Sequence, residues 1–174
     1  MKDGRIELEP IQPRHAKEMF EVLSPQEIYE FIPDTPPKSV AALTERYQKL
    51  SLEKSPDGYQ IWKNWVIRNI GADRLIGYIQ ATIDHKIKEA DIVYVLHPAS
   101  WGQGFAEEAC RLMIADLQQN FQLKLLWVKL DSQNIRSVQL MKRLGFQKRT
   151  HLIKSETIRG ELRDEITMAR LIER

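Results

Sequence analysis

The stretch DIVYVLHPASWGQGFAEEA (residues 91–109) determines which fold the rest of the sequence predicts. Residues 92–96 form an unbroken apolar and aromatic run, which is typical of a buried strand. Pro98 has no backbone N–H to donate to a sheet, so the strand should end before it. Gly102 and Gly104 come next, and the residues after them have the apolar spacing of an amphipathic helix. This order predicts a strand, a glycine turn and a helix.

The glycine turn suits a phosphate-containing ligand. Glycine allows positive φ and close approach of a ligand, and the first N–H groups of a helix carry the positive end of its dipole. A P-loop would need Lys and Ser or Thr where Phe105 and Ala106 stand. A dinucleotide fingerprint would need Gly or Ala in place of Glu107. The turn therefore predicts a phosphate site of another kind, and a plain strand–turn–helix junction is the alternative.

Composition favours one globular domain over residues 1–174, with 43% hydrophobic and 29% charged residues. The net charge is only +2, which argues against a dedicated nucleic-acid binder, so we expect no nucleic-acid partner. No apolar run is long enough to cross a membrane, and the first residues, MKDGR, do not form a signal peptide. We therefore expect no membrane association and a cytoplasmic location.

Cysteine and histidine usage gives no sign of a disulfide or a metal site. Cys110 is the only cysteine and lies on the apolar stripe of the helix after the glycine turn, which predicts a core residue rather than a nucleophile. None of the histidines forms a ligand pair at short spacing, and we expect no metal. The histidines are His15, His85, His97 and His151.

The predicted order of elements is β-α-α-β-β-β-α-β-α-β-β, a mixed α/β sheet flanked by helices. A capping box is predicted at Ser24, with proline after it, to start a further short helix. Asn134 is a predicted N-cap, and Gly145 a predicted helix end. Strands are predicted over 5–11, 59–70, 75–84, 92–96, 123–130, 146–154 and 162–171, and helices over 13–23, 39–53, 104–120 and 134–144, with a final loop over 155–160.

Two segments resemble motifs of the GNAT superfamily of acyl-CoA-dependent N-acetyltransferases. Residues 101–106, WGQGFA, resemble motif A (Gln/Arg-x-x-Gly-x-Gly/Ala), with Trp101 departing at the first position. The form Trp-Gly-x-Gly-aromatic-Ala-x-Glu-Ala is similar to the RimJ/RimL-like branch, which acetylates protein N-termini and other amines. Residues 134–146 resemble motif B (Asn-x-x-Ser/Ala-x-x-Leu-x-x-Lys/Arg-x-Gly-Phe). A well-capped amphipathic helix is the alternative explanation of this second segment alone.

The resemblance implies a GNAT-like fold and an acetyl-CoA site without a metal. Its sheet is mixed and mostly antiparallel, is flanked by helices and contains a splayed parallel strand pair. The backbone of residues 94–96 would pair with the pantetheine, and the Leu96 N–H would face the thioester oxygen. Backbone N–H groups of residues 102–106 would bind the pyrophosphate, and Asn134 the pantetheine. The implied cofactor-binding residues are Tyr94, Val95, Leu96, Trp101, Gly102, Gln103, Gly104, Phe105, Ala106, Asn134 and Ser137.

The implied catalytic residues are Ser137, Asp91 and Leu96. Many family members carry a tyrosine where Met141 stands, as the acid for the leaving thiolate, whereas RimL-like members are thought to use the serine at Ser137. Alternatively, this serine only forms hydrogen bonds with backbone groups in the first turn of the helix. Asp91 is the candidate base, and the alternative is that it is only a solvated residue at the start of the strand. His97 is a second candidate base, and the alternative is an exposed histidine at the strand end.

The predicted function is transfer of acetyl from acetyl-CoA to a primary amine by a monomer or homodimer. The acceptor is a protein N-terminus, an aminoglycoside-like compound, a polyamine or an amino acid. A CoA-binding regulatory module without turnover is one alternative, and a structural α/β domain is another. Tyr29 and Phe31 are candidates for a lid or for the core. Acidic residues that would favour a polycationic acceptor, if they converge, are Glu27, Glu30, Asp34 and Asp84.

Overall fold

The computed structural model of the chain describes residues 1–172 and contains one sheet with helices on both faces. The helices are α1 (Ala16–Val22), α2 (Val40–Leu50), α3 (Phe105–Asn120) and α4 (Ile135–Arg143). Short 3-10 helices cover Pro13–His15, Gln26–Glu30 and Pro98–Ser100. The strands are β1 (Lys2–Asp3), β2 (Ile6–Pro10), β3 (Gln60–Asn69), β4 (Arg74–Asp84), β5 (Glu89–Leu96), β6 (Leu125–Asp131), β7 (Gln147–Ile158) and β8 (Glu161–Leu171).

The sheet has the strand order β1-β2-β3-β4-β5-β6-β8-β7. Every neighbouring pair is antiparallel except β5 and β6, which run parallel. The parallel pairing stops after the pair Asp91–Trp127, although both strands continue. The predicted mixed, mostly antiparallel sheet with a splayed parallel pair is therefore confirmed.

The two faces of the sheet bury separate cores. Helices α3 and α4 cover one face with apolar side chains such as Met113 and Met141, both fully buried. Helices α1 and α2 cover the other face, where Leu43 and Tyr47 pack. Cys110 is fully buried on α3, and burial raises the pKa of its thiol to about 12. Its predicted place in the core is confirmed.

The predicted cap and end of α4 are confirmed, and α2 begins at a cap that was not predicted. The Ser39 hydroxyl accepts a hydrogen bond from the Ala42 N–H at 3.1 Å, so it caps α2. The Asn134 side chain accepts from the Ser137 N–H at 3.2 Å and caps α4 in the same way. Gly145 follows α4 with φ of +85°, the left-handed conformation expected after a helix.

Two local predictions are wrong. The Ser24 hydroxyl does not cap the short helix, because it donates to the Phe20 carbonyl at 2.6 Å and lies at the end of α1 instead. The predicted loop over residues 155–160 is mostly strand, since β7 continues to Ile158 and pairs with β8 up to the turn at Gly160. The two-residue strand β1 was not predicted. Among residues 1–172, no helix is long and apolar enough to cross a membrane.

Candidate functional site

A cleft of about 580 Å³ opens where β5 and β6 separate. It is bounded by the ends of both strands, by the glycine turn before α3 and by the first turn of α4. The segment that contains Glu27 and Phe31 covers one side of it. The structure brings together at this cleft ten of the predicted residues: Tyr94, Val95, Leu96, Trp101, Gly102, Gly104, Phe105, Ala106, Asn134 and Ser137.

The last residue of β5 turns its backbone toward the cleft. The His97 N–H donates to the Ile76 carbonyl at 2.8 Å, so Leu96 and its partner Gly77 form the non-hydrogen-bonded kind of antiparallel pair. The Leu96 N–H and carbonyl therefore point away from β4. The carbonyl accepts from the Trp101 indole N–H at 2.8 Å, which leaves the amide as a donor facing the gap.

Gly77 allows β4 to approach the end of β5 closely. A Cβ placed on Gly77 would lie 2.1 Å from the Val95 carbonyl oxygen and 2.9 Å from the Leu96 Cα, which no side chain tolerates. Only glycine fits between the strands here, although its φ is not positive. The position of the Leu96 amide thus depends on β4 having a glycine, without a side chain, at position 77.

The glycine turn presents the N-terminus of α3 to the cleft. Gly102 and Gly104 have φ of +71° and +86°, and α3 begins without a side-chain cap. Arg5, from just before β2, donates to the Gln103 carbonyl at 2.9 Å and stacks its guanidinium 4.5 Å from the centre of the Phe105 ring. These two contacts brace the glycine turn against the start of β2. Gln103 does not line the cleft, and its side chain donates to the Ala99 carbonyl.

Trp101, where the family motif has Gln or Arg, acts as a platform. The Arg136 guanidinium of α4 lies 4.6 Å above the centre of its ring, so a positive charge still stands beside the glycine turn. Arg143, about two turns further along the same face of α4, bonds Glu107 of α3 at 3.2 Å. The sequence interpretation overlooked both arginines, although their seven-residue spacing on the helix of motif B was a usable signal.

Tyr94 and Ser137 meet at the floor of the cleft, where their hydroxyl oxygens are 2.5 Å apart. Ser137 is 8% exposed, and burial raises the pKa of the Tyr94 phenol, which therefore stays protonated. Met141 is fully buried in the core and has no proton to donate. The sequence interpretation used only the backbone of Tyr94, so this side-chain contact is new.

The two candidate bases do not line the cleft. Asp91 belongs to the last paired position of β5, at the closed end of the gap, and its side chain is exposed. Desolvation by its surroundings raises the pKa of the Asp91 carboxyl, the Lys129 ammonium lowers it, and Glu89 adds a smaller rise. His97 accepts from the Ala99 N–H at 3.1 Å just beyond the strand.

The four acidic residues considered for an acceptor site do not converge. Only Glu27 lines the cleft. Asp34 pairs with Arg46 at 3.5 Å beside a separate cavity of about 40 Å³ under α1 and α2. Asp84 accepts from backbone N–H groups of the turn after β4, and Glu30 lines neither space. These four residues therefore form no shared acidic cleft.

The lid candidates occupy different places. Phe31 lines the cleft, whereas Tyr29 is 5% exposed, packs in the core and donates its hydroxyl to the Leu23 carbonyl at 2.7 Å. For the part of the chain that the structure describes, no group of three or more His, Cys, Asp or Glu side chains is placed to hold a metal ion.

Comparison with known sequences gives two matches. The family described as "Acetyltransferase (GNAT) domain" matches residues 5–147. An uncharacterized N-acetyltransferase, p20, from Bacillus licheniformis is 28% identical over 164 residues, which cover 92% of this chain and 89% of that protein.

Solved structures share the fold at low identity. A spermidine N-acetyltransferase from Vibrio cholerae, in complex with CoA and spermine, matches with a TM-score of 0.83 and 19% identity, over 97% of this chain and 96% of that one. An acetyl transferase from Salmonella typhimurium, which modifies the N-terminal serine of ribosomal protein L7/L12, matches with a TM-score of 0.85 and 18% identity, over 98% and 97% of the chains.

Proposed function

This chain belongs to the acetyltransferase (GNAT) family, and from that premise we propose that it moves acetyl from acetyl-CoA to a primary amine by direct attack in a ternary complex. Acetyl-CoA is the co-substrate of an acyl-CoA-dependent acetyltransferase of this kind. The observation that carries the proposal is the Leu96 amide, which faces an open gap beside an uncapped helix N-terminus. One cleft therefore offers a donor for a thioester oxygen and N–H groups for phosphates.

The cleft residues divide into binding and stabilising groups. The gap-facing backbone of Tyr94 and Leu96 pairs with the amides of the pantetheine arm, as an added strand would. The N–H groups of residues 102–106 bind the pyrophosphate, and Arg136 adds a charge there. The side-chain oxygen of Asn134 accepts the capping hydrogen bond of α4, so the side-chain NH₂ group remains available to the pantetheine.

The chemistry needs a neutral amine, a stabilised oxyanion and a proton for sulfur. The Leu96 N–H donates to the oxyanion that forms when the amine attacks the carbonyl carbon. Ser137 donates to the sulfur as the carbon–sulfur bond breaks. Asp91 lies outside the cleft lining, at the closed end of the gap, and takes the amine proton through intervening water. Its raised pKa brings the carboxyl closer to the range of an effective base.

The proposed acceptor is a protein N-terminus or a small amine. Proteins of similar fold acetylate both kinds of acceptor, one a spermidine and one an N-terminal serine. Three acidic residues line the cleft, Glu27, Glu107 and Asp131, but Glu107 is paired with Arg111 and Arg143, and Asp131 lies 4.0 Å from Arg163. This pairing favours an acceptor of low positive charge over a polyamine. We propose a single catalytic domain over residues 1–174, working in the cytoplasm as a monomer or homodimer, without nucleic acid or membrane.

Thermal unfolding with acetyl-CoA, followed by an amine screen, tests the proposal. A ligand at about 100 times its dissociation constant adds about 2.7 kcal/mol to the free energy of unfolding. For a domain of this size, each kcal/mol raises the melting temperature by roughly 2–4 °C. We expect this rise with acetyl-CoA and not with adenine nucleotides, and release of free CoA with some amines. No rise at high ligand concentration would refute the cofactor site.

A CoA-binding regulatory module is the second candidate, because Met141 replaces the tyrosine acid. The same experiment separates the two functions. A module would show the thermal shift and release no free CoA with protein N-terminal peptides, aminoglycosides, polyamines or amino acids. An enzyme would show both.

A further inference from the structure

The serine proposed as the acid for the leaving thiolate has an unusual partner. Tyr94 reaches Ser137 from β5, across the floor of the cleft, and the two hydroxyl oxygens are 2.5 Å apart. Among residues 1–172 this phenol is the only hydrogen-bond partner of the serine hydroxyl. The contact lies where β6 has already separated from β5, so it is a tie between β5 and α4 within the cleft.

We infer that Tyr94 is a positioning residue that donates its phenol proton to the Ser137 oxygen and thereby directs the serine proton toward the leaving sulfur. The inference rests on the proposed function. It assigns to a strand side chain the task of orienting a hydroxyl on a neighbouring helix. It also gives the chain a substitute for the tyrosine that is missing at Met141.

The direction of the hydrogen bond follows from the two hydroxyl groups. A phenol is the stronger acid of the pair and so the better donor, and the serine oxygen has lone pairs to accept. The Ser137 backbone N–H is already bound to Asn134, which fixes the first turn of α4 and hence the Cβ of the serine. With its oxygen accepting from Tyr94, the serine has one proton left, and the remaining open side is the cleft.

Burial keeps the Tyr94 phenol protonated, so it can act as the hydrogen-bond donor. The Tyr94 ring lies among core residues of α3 and α4, and its pKa is raised mainly by desolvation and further by the Cys110 thiol. The phenol therefore remains a donor throughout the working pH range. Two hydroxyls in series polarise each other, which strengthens the bond that the serine makes to a developing thiolate.

The proton balance closes over one turnover. The amine nitrogen forms a bond to the carbonyl carbon and loses a proton, and the carbon–sulfur bond breaks with its electron pair moving to sulfur. Sulfur takes the Ser137 proton, and the proton that Asp91 took from the amine returns through water to the hydroxyl pair. Both hydroxyls end the cycle as they began it.

The test is a double-mutant cycle with Tyr94→Phe and Ser137→Ala. We expect Ser137→Ala to lower kcat by about 100-fold or more, the scale of general acid catalysis. Tyr94→Phe should lower kcat by about tenfold, the worth of one hydrogen bond, with the KM for acetyl-CoA unchanged. The double variant should be no slower than Ser137→Ala, because Tyr94 acts only through the serine.

A matched control separates positioning from general loss of structure. Tyr29→Phe removes a phenol that is also buried and bonded, at 2.7 Å to the Leu23 carbonyl, so its effect on melting temperature should be similar. Its kcat and solvent isotope effect should stay at wild-type values. Tyr94→Phe should change the solvent isotope effect on kcat, since the transferred proton is no longer directed.

The outcomes distinguish the inference from the proposed function. A wild-type protein without turnover would refute the proposed function and this inference with it. Turnover that falls with Ser137→Ala and is unaffected by Tyr94→Phe would refute the inference alone, as would a double variant in which the two losses multiply. If Tyr94→Phe does not fold, replacing Tyr94 by fluorotyrosine keeps the shape and strengthens the donor, and an unchanged kcat would then overturn the inference.

Discussion

Gly77→Ala should inactivate the protein while leaving it folded. The added Cβ would lie 2.1 Å from the Val95 oxygen, whereas an ordinary contact begins at 3.4 Å, so β5 must move by more than 1 Å. The segment that moves carries the Leu96 amide, the proposed oxyanion donor. A displacement of about 1 Å costs about 100-fold in rate, and loss of one oxyanion donor costs about 100- to 1,000-fold. We expect kcat/KM to fall by about 100-fold.

Steady-state kinetics with the best amine of the screen, at a temperature well below melting, would measure this effect. Overpacking should also lower stability by about 1–3 kcal/mol, which thermal unfolding would record separately. Gly71→Ala is the control, because its Cβ would meet only the Asn69 side-chain oxygen, at 3.6 Å, in the turn between β3 and β4. A folded Gly77→Ala protein with kcat/KM within twofold of wild type would refute the role of this close approach.

Three further predictions concern the phosphate site and the base. Gly104→Val should abolish acetyl-CoA binding by calorimetry, because φ there is +86° and its Cβ would lie 3.2 Å from the Arg5 guanidinium, so the turn that presents the N–H groups must shift. Gly160→Val, at φ of +82° in an open turn, should bind normally. Arg136→Ala should weaken binding of acetyl-CoA about tenfold or more and leave acetyl-pantetheine, which lacks the phosphates, unaffected; equal losses for both would contradict a phosphate contact. A base must be deprotonated, so kcat/KM should fall as pH drops through the raised pKa of Asp91; Asp91→Asn should lower the rate and remove that acid limb, and a retained limb would exclude Asp91 as its source.

The parts of the fold that the sequence predicts depend on local chemistry. The cap at Asn134, the glycine after α4 and the turn before α3 lie within a few residues of the helices they shape. The final hairpin is different, because most side chains of β7 are exposed and show no alternation of apolar and polar residues. Its extension to Ile158 depends on pairing with β8, which a window along one strand does not reveal.

Much of the candidate site depends on contacts between distant residues. Arg5 braces a turn that lies 98 residues away, and Tyr94 meets a serine 43 residues away. Neither pair has a signal in local spacing. Asp91 was a reasonable candidate base by its place on the strand, yet whether it lies in the cleft depends on the position at which β5 and β6 stop pairing. The two strands are separated in sequence by α3, so a local pattern does not show how far they pair.

Strand β5 lies in the middle of the strand order, but because its pairing with β6 is short, its second half has unpaired backbone groups as an edge strand does. Three residue pairs join β5 to β6, and beyond them alternate N–H groups of β5 face open space. In the free protein the amides of Tyr94 and Leu96 should exchange with deuterium quickly, as those of an edge strand do, while the Ile92 amide, bonded to β6, and the neighbours bonded to β4 exchange slowly. A cofactor that occupies the gap would slow the Tyr94 and Leu96 amides, so the two halves of the sheet become one cooperative unit only in the loaded protein.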